Sequence, residues 1–322
     1  MSTSYAAAGG IPVSEPTAFS AYSPVVLDVP GRPVPLEIKV SVPATGTGLP
    51  VILLSHGHGM TNFLASLNGY GPLADFWAAH GFVVIQPTHL DSMALGLRDT
   101  DLPDASIFWR DRAIDMHVIL DRLDEIEAAV PGLSGRIDRD KIAAAGHSLG
   151  GGTVSLLLGM QVPDPDDDRE KDLSDPRVKA GVMIGAPGVG DEHLSEWAAE
   201  NYPMMKYIDF SAMSGTGLVI AGDKDLNLHF SDRLSYRWDA FTRSPAGNKT
   251  LLMFHGAEHI FGGISGYDAV ETSDDNPERV YALRALVWAY LRSQLFAGDD
   301  AWPAALQALE SAADPIAHVE TR

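Results

Sequence analysis

The chain has 322 residues, 45% hydrophobic and 20% charged, which favours an ordinary folded globular protein over a disordered or membrane-spanning one. Its 43 acidic and 23 basic residues give a formal charge of -20, which opposes binding to phosphate backbones and predicts no nucleic-acid partner. The absence of cysteine excludes disulfides, thiolate metal sites and cysteine nucleophiles.

Three segments are expected along the chain. Residues 1–20, rich in Ser, Ala, Gly and Pro, predict an irregular N-terminal arm, in which no basic residue precedes an apolar run. A basic residue followed by an apolar run is the pattern of a signal peptide, and since it is not seen here a cytoplasmic location is expected. Residues 21–298 predict a single domain, and residues 299–322 a peripheral helix and tail. No stretch approaches the ~20 apolar residues of a membrane helix, so no stable membrane insertion is expected.

Strands and helices are predicted to alternate along the chain. The stretch Val25 to Val42, around Pro30-Gly31-Arg32-Pro33, predicts an antiparallel hairpin at a sheet edge. Apolar runs predict buried strands at Pro50–Ser55, Gly81–Gln86, Lys141–Ala145, Val178–Ile184, Leu218–Ala221 and, as the last, Leu251–Phe254. Helical spacing predicts helices at Leu73–His80, Ile107–Val130, Leu149–Met160, Leu194–Asn201, Ser231–Thr242, Pro277–Phe296 and Ala304–Ala313. This order predicts an α/β fold with a mainly parallel central sheet and helices on both faces.

The motif Gly146-His147-Ser148-Leu149-Gly150 lies between a predicted strand and a predicted helix. A serine hydroxyl attacks a carbonyl only when it projects from the surface and a base takes its proton. Glycines two residues before and after the serine allow the sharp turn that projects it. The motif alone is weak and also fits a glycine-rich helix start, but its strand and helix context favours Ser148 as a nucleophile.

An acid and a histidine follow the serine in the order that this motif requires. Asp223 and Asp225 follow the predicted strand at 218–221, and Asp225 is preferred because it lies farther along the loop. His255 and His259 follow the next strand, and His259 is preferred because Gly256 lets the loop reach the serine. These residues predict a Ser148, His259 and Asp225 triad for nucleophilic catalysis.

Attack by a serine needs backbone N–H donors for the developing oxyanion. The residue after the nucleophile, Leu149, is one candidate, and the Ser55-His56-Gly57-His58-Gly59 loop supplies the other at the His58 amide. A metal site at His56, His58 and His89 is an alternative, disfavoured because the i, i+2 spacing directs two of the rings apart. The acidic run Asp164, Asp166, Asp167 and Asp168 lacks a calcium-loop spacing. No cofactor or metal is predicted.

Four motifs together resemble a known family: residues 55–59, Gly-His-Ser-Leu-Gly-Gly at 146–151, Gly-Asp-Lys-Asp at 222–225 and Gly-Ala-Glu-His at 256–259. They are similar to α/β-hydrolases of the chlorophyllase, platelet-activating-factor acetylhydrolase and cutinase-like polyester hydrolase group. The resemblance covers roughly residues 50–296. It implies the α/β-hydrolase fold, ester hydrolysis and the same triad, with His58 as an oxyanion donor. The stretch 109–115 is also similar to these relatives and is interpreted as an Arg–Asp network that ties a helix to the sheet.

Apolar side chains after the motif strands predict a small-molecule or lipid-like apolar ester as substrate. The candidate contacts are Met60, Phe63, Leu64, Leu149, Val189, Trp197, Tyr202, Met204, Met205, Phe261 and Ile264. A lactonase, thioesterase or amidase would use the same triad, and the sequence does not separate these activities. A catalytically inactive binding module is the alternative from another class, but such a module is expected to have lost a triad residue.

Overall fold

The computed structural model describes residues 10–164, 169, 172–266 and 269–322. Within them, one nine-stranded sheet has the order β1-β2-β4-β3-β5-β6-β7-β8-β9. The strands are β1 Phe19–Leu27, β2 Leu36–Pro43, β3 Leu49–Ser55, β4 Val83–Pro87, β5 Ile137–His147, β6 Val178–Ile184, β7 Gly217–Gly222, β8 Lys249–Phe254 and β9 Ala317–Thr321. Strands β3 to β8 pair in parallel, whereas β1, β2 and β9 are antiparallel to their neighbours. The predicted mainly parallel sheet and its N-terminal edge hairpin are confirmed.

Helices cover both faces of this sheet. They are α1 Gly71–Ala79, α2 Trp109–Asp121, α3 Leu123–Ala129, α4 Leu149–Leu157, α5 Glu196–Asn201, α6 Asp239–Thr242, α7 Pro277–Leu295 and α8 Ala301–Glu310, with short 3₁₀ turns at Met93–Leu95, Pro203–Tyr207 and Leu234–Trp238. One core lies under α2, α3 and α4, and the other under α1, α7 and α8. Every residue of β3 is buried, because both of its faces pack against helices.

The structure corrects four predicted boundaries. The expected arm at residues 1–20 overlaps β1, which begins at Phe19. The predicted long helix at 107–130 is divided at Arg122 into α2 and α3. The predicted helix at 231–242 is instead a 3₁₀ turn followed by the short helix α6. The predicted tail at 299–322 contains α8 and also β9, which extends the sheet beyond β8.

Much of the acidic run after Pro163, including Asp166, Asp167 and Asp168, lies outside the described residues. Of the helices in the described ranges, none has both the length and the apolar character required to cross a membrane.

Candidate active site

Ser148 lies at the tight turn between β5 and α4. Its backbone has φ 53° and ψ -121°, a conformation that residues other than glycine rarely adopt. A Cβ atom on Gly146 would lie 2.1 Å from the Gly150 carbonyl oxygen, and one on Gly150 would lie 2.1 Å from the Ser55 carbonyl oxygen. The backbone crowding predicted around the serine is therefore present, and it leaves no room for side chains at either position.

The three predicted triad residues form one continuous hydrogen-bonded chain. His259 Nε2 lies 3.0 Å from Ser148 Oγ, and His259 Nδ1 lies 2.9 Å from Asp225 Oδ2. A carboxylate only accepts, so His259 Nδ1 carries the proton and Nε2 presents a lone pair to the serine hydroxyl. This arrangement is the one in which a histidine can take the serine proton.

Arg237, which the sequence analysis did not identify, fixes the acid. Its Nε lies 3.1 Å from Asp225 Oδ1, and its Nη1 donates to the Gly185 carbonyl at 3.1 Å. Burial raises the pKa of Asp225, but the facing His259 and Arg237 outweigh it and hold this pKa below its usual value. A Cβ atom on Gly185 would lie 3.2 Å from Asp225 Oδ2 and 3.3 Å from His259 Nδ1. Asp225 is thus kept ionised beside the histidine.

The alternative acid and base lie elsewhere. Asp223 Oδ1 accepts the Gly256 N–H at 2.7 Å, which braces the turn leading to His259. His255 faces Asp223 at 3.5 Å, and its side chain is 45% exposed at the sheet edge, where it meets His318 of β9. The geometry therefore favours Asp225 and His259 as the residues that act with Ser148.

One predicted oxyanion donor, Leu149, belongs to the serine turn, and the other, His58, belongs to the loop whose Ser55 and His56 carbonyls pack against Gly150. Leu149 is the first residue of α4, so its N–H has no carbonyl acceptor within the helix. His56 Nδ1 donates to the Gly57 carbonyl at 2.6 Å, and the planar trans peptide then directs the His58 N–H to the opposite side. The other ring nitrogen of His56 accepts the His89 N–H at 3.0 Å, which fixes this tautomer.

Both ring nitrogens of His56 and of His89, and Nδ1 of His58, have protein partners. His89 bonds to Ser55 Oγ at 2.9 Å and to Asp115 Oδ2 at 2.8 Å, and His58 Nδ1 bonds to Asp91 Oδ2 at 2.8 Å. In the part of the chain that the structure describes, no three metal-ligating side chains converge. These histidines order the loop that carries the His58 amide.

Arg112 anchors the same loop from α2. Its guanidinium, fully buried, donates to Asp91 and to the His56 carbonyl, and its Nε donates to Thr153 Oγ1 at 3.1 Å. Burial raises the pKa of Asp91, but Arg112 and His58 hold it well below its usual value. The predicted Arg–Asp network is present, although its partners lie on the neighbouring loops.

We expect Arg112→Met to lower the free energy of unfolding by about 3 to 5 kcal/mol, because it leaves the buried Asp91 carboxylate without its cation. Arg122→Met removes an arginine whose carboxylate partner, Glu125, is 54% exposed and is the matched control, expected to change the value by less than about 1 kcal/mol. Urea unfolding followed by tryptophan fluorescence measures both. Equal effects of the two substitutions would contradict the anchoring role of Arg112.

Buried titratable groups predict marked sensitivity to acid. Burial lowers the pKa of four histidines and raises that of two aspartates to about 6. As the pH falls, these two aspartates therefore gain protons in the folded protein before they do so in the unfolded chain. The groups are His56, His80, His89 and His147, and Asp111 and Asp115. Between pH 6 and pH 5 the unfolded chain protonates the four histidines, whereas the folded protein keeps them neutral.

Four histidine protons in the unfolded chain against two aspartate protons in the folded protein leave a net difference of about two between pH 6 and pH 5. We therefore expect the free energy of unfolding to fall by about 3 kcal/mol for each pH unit in this window. Urea titrations at pH 7, 6, 5 and 4 measure this slope. A free energy that stays constant over this window would contradict the neutral buried histidines.

The predicted substrate contacts separate into three groups. Met60, Phe63 and Trp197 are exposed, at 71%, 48% and 38% respectively. Phe261 and Ile264 are fully buried in the core, which corrects their prediction as substrate contacts: they support the site from below. The remaining candidates are buried or half-buried: Leu149, Val189, Tyr202, Met204 and Met205 belong to the wall around α4 and the 3₁₀ turn at 203–207, whereas Leu64 packs in the other core, against Gly59.

Two cavities adjoin this wall. The smaller, about 10 Å³, is lined by Leu149, Gly152 and Pro187 together with Trp109 and Met204. The larger, about 140 Å³, has Trp109 and Met204 in its lining but none of the triad residues. The smaller cavity is therefore lined by Leu149, the neighbour of the candidate nucleophile, and shares Trp109 and Met204 with the larger one, but its lining does not include a triad residue either.

No protein-family model matches the chain, and no curated protein matches it either. The geometry of the site is therefore the basis for any functional inference.

Proposed function

We propose that this protein is a serine hydrolase that cleaves carboxylic esters, with the α/β-hydrolase fold. The strand order supports this fold, since the predicted nucleophile, acid and histidine follow β5, β7 and β8 in that order along the chain. The observation that carries the function is the hydrogen-bonded chain from Ser148 Oγ through His259 to Asp225.

The reaction starts when His259 Nε2 accepts the Ser148 proton and Ser148 Oγ attacks the ester carbonyl carbon. The carbonyl oxygen becomes an oxyanion, which the N–H groups of Leu149 and His58 stabilise. Asp225 stays ionised and stabilises the imidazolium. His259 then gives its proton to the leaving alcohol oxygen as the C–O bond breaks, which leaves an acyl group on Ser148.

Water completes the cycle. His259 takes a proton from the water as its oxygen attacks the acyl carbonyl, and then returns that proton to Ser148 Oγ as the acid product leaves. Exposed apolar side chains at Met60, Phe63 and Trp197 support an apolar ester as substrate. The intact triad geometry weighs against an inactive binding module.

The experiment that tests this function is hydrolysis of p-nitrophenyl esters from acetate to palmitate, beside a thioester, a lactone and an anilide of matched acyl length. We expect the esters to be turned over, and the chain-length optimum to measure the acyl site. Turnover of only the thioester, the lactone or the anilide would reassign the substrate class while keeping the triad. Absence of turnover on every substrate would contradict the proposed function.

A further inference from the structure

A buried chain of hydrogen bonds runs behind the serine turn through two side chains that the mechanism above does not use. Tyr70 immediately precedes α1 and His147 ends β5, and both are fully buried. The Gly57 N–H donates to Tyr70 Oη at 3.0 Å, Tyr70 Oη lies 2.9 Å from His147 Nδ1, and His147 Nε2 lies 2.8 Å from the His259 carbonyl oxygen. The chain thus joins the loop of the predicted oxyanion donor to the loop of the predicted base.

The direction of each hydrogen bond follows from its partners. The His259 carbonyl only accepts, so His147 Nε2 carries a proton and donates it. A neutral imidazole then has a lone pair on Nδ1, which accepts the Tyr70 O–H. Tyr70 Oη accepts the Gly57 N–H with its own lone pair. All three bonds therefore point from residue 57 towards residue 259.

His147 has to remain neutral for this arrangement to hold. Burial lowers the pKa of His147 to about 3, and the ring lies 4.8 Å from that of His259, centroid to centroid. The Leu64 carbonyl is a competing acceptor for the Tyr70 O–H, at the longer distance of 3.3 Å. A neutral His147 ring keeps a lone pair on the nearer Nδ1, which accepts the hydrogen bond from the Tyr70 O–H. It also places no positive charge beside the predicted base, His259.

Both polar groups of Gly57 are held in this way. Tyr70 Oη accepts a hydrogen bond from the Gly57 N–H, and His56 Nδ1 donates to the Gly57 carbonyl at 2.6 Å. A Cβ atom at position 57 would lie 2.9 Å from Tyr70 Oη and 3.3 Å from His147 Nδ1, so the packing requires glycine there. The peptide that follows carries the His58 N–H, and its plane is therefore fixed relative to the elements on either side.

We propose that Tyr70 and His147 are positioning residues, which set the His58 oxyanion donor and the His259 base at a fixed separation through the chain Gly57, Tyr70, His147 and His259. The role rests on the proposed function, since it concerns the geometry of the same reaction. An oxyanion donor is effective only when it is already directed at the position that the oxyanion will occupy. A small displacement of the donor costs rate rather than substrate binding.

The test begins with Tyr70→Phe, which removes only Oη and keeps the aromatic packing. We expect kcat for p-nitrophenyl ester hydrolysis to fall about 10- to 100-fold with KM changed less than about threefold. Tyr290→Phe is the matched control, because Tyr290 is equally buried but lies on α7 away from the site, and its kcat is expected to stay at the wild-type value.

A second readout separates positioning from mere stability. A trifluoromethyl ketone forms a hemiketal oxyanion with the nucleophile, so its Kd is expected to rise in Tyr70→Phe by the same factor by which kcat/KM falls. The secondary alcohol of the same length forms no oxyanion, and its inhibition constant is expected to stay unchanged. His147→Gln retains one donor and one acceptor and is expected to keep kcat within about fivefold, whereas His147→Leu is expected to lose activity as Tyr70→Phe does.

Three outcomes are distinguishable. Loss of kcat with parallel loss of trifluoromethyl ketone affinity supports the positioning role. An active wild type with an unchanged kcat in Tyr70→Phe, or a variant that loses only thermal stability, overturns this role alone and leaves the proposed function intact. A wild type without ester turnover overturns the proposed function and this role with it.

Discussion

Ser148→Ala is expected to lower kcat for p-nitrophenyl ester hydrolysis by at least about 10⁴-fold, because it removes the atom that forms the acyl-enzyme. Residual turnover would come from the oxyanion donors and from substrate binding, which remain in place. The substitution removes one half-exposed hydroxyl from a backbone that already has positive φ, so little change in thermal stability is expected.

Ser155→Ala is the matched control for this prediction. Ser155 is buried on the same helix, and its Oγ donates only to the Gly151 carbonyl one turn earlier, at 3.0 Å. Its activity should equal that of the wild type. If Ser148→Ala retained wild-type kcat, the hydrolysis would come from another group and the nucleophile assignment would be wrong.

Asp225→Asn is expected to lower kcat at neutral pH by about 10⁴-fold, because the hydrogen bonds around it force the wrong tautomer on the histidine. Arg237 donates a hydrogen bond to the Oδ1 position, so an asparagine would place its amide oxygen there to accept that bond. Its NH₂ group would then donate to His259 Nδ1. The histidine proton would move to Nε2. This nitrogen faces Ser148 and, once protonated, cannot accept the hydroxyl proton.

Asp223→Asn tests the alternative acid in the same assay. Its side-chain oxygen would still accept the Gly256 N–H, so kcat should fall less than about tenfold. Steady-state kinetics of the two variants at pH 7.5 decide between the aspartates. A larger loss in Asp223→Asn than in Asp225→Asn would contradict the assignment made from the geometry.

The strands were predictable where burial on both faces makes the sequence almost entirely apolar, as in β3 and β7. Strand β9 has no such run, because it lies at the sheet edge and reads Ala-His-Val-Glu-Thr. Its pairing with β8 is a tertiary contact that composition does not report. The division between α2 and α3 at Arg122 was equally hidden, since neither glycine nor proline marks it.

Of the residues at the candidate site, some could be predicted from their spacing in the sequence and others could not. Ser148 and its glycines form a local motif, and Asp225 and His259 follow strands in chain order, so spacing was sufficient to propose them. Tyr70, His147 and Arg237 have partners at irregular separations, from 12 residues between Arg237 and residue 225 to 112 between His147 and residue 259, and no spacing rule connects them. For His147 the one available signal was its position directly before the candidate nucleophile.

The apolar side chains predicted as substrate contacts could be placed after the motif strands, but the sequence did not indicate which of them are buried. Phe261 and Met60 both follow a motif, yet the first is fully buried in the core and the second is 71% exposed. Phe261 also has a positive φ of 51°, which turns its chain into the core beneath the histidine loop. Such a turn depends on packing and has no sequence pattern of its own.

The most direct test of the nucleophile is reaction of the native protein with a fluorophosphonate, followed by intact mass and peptide mapping. The account predicts one phosphonyl adduct per chain, located on Ser148, with no adduct in Ser148→Ala and a much slower reaction in Asp225→Asn. An unlabelled wild type, or an adduct located on any other residue, would contradict the claim that Ser148 is the nucleophile of a serine hydrolase.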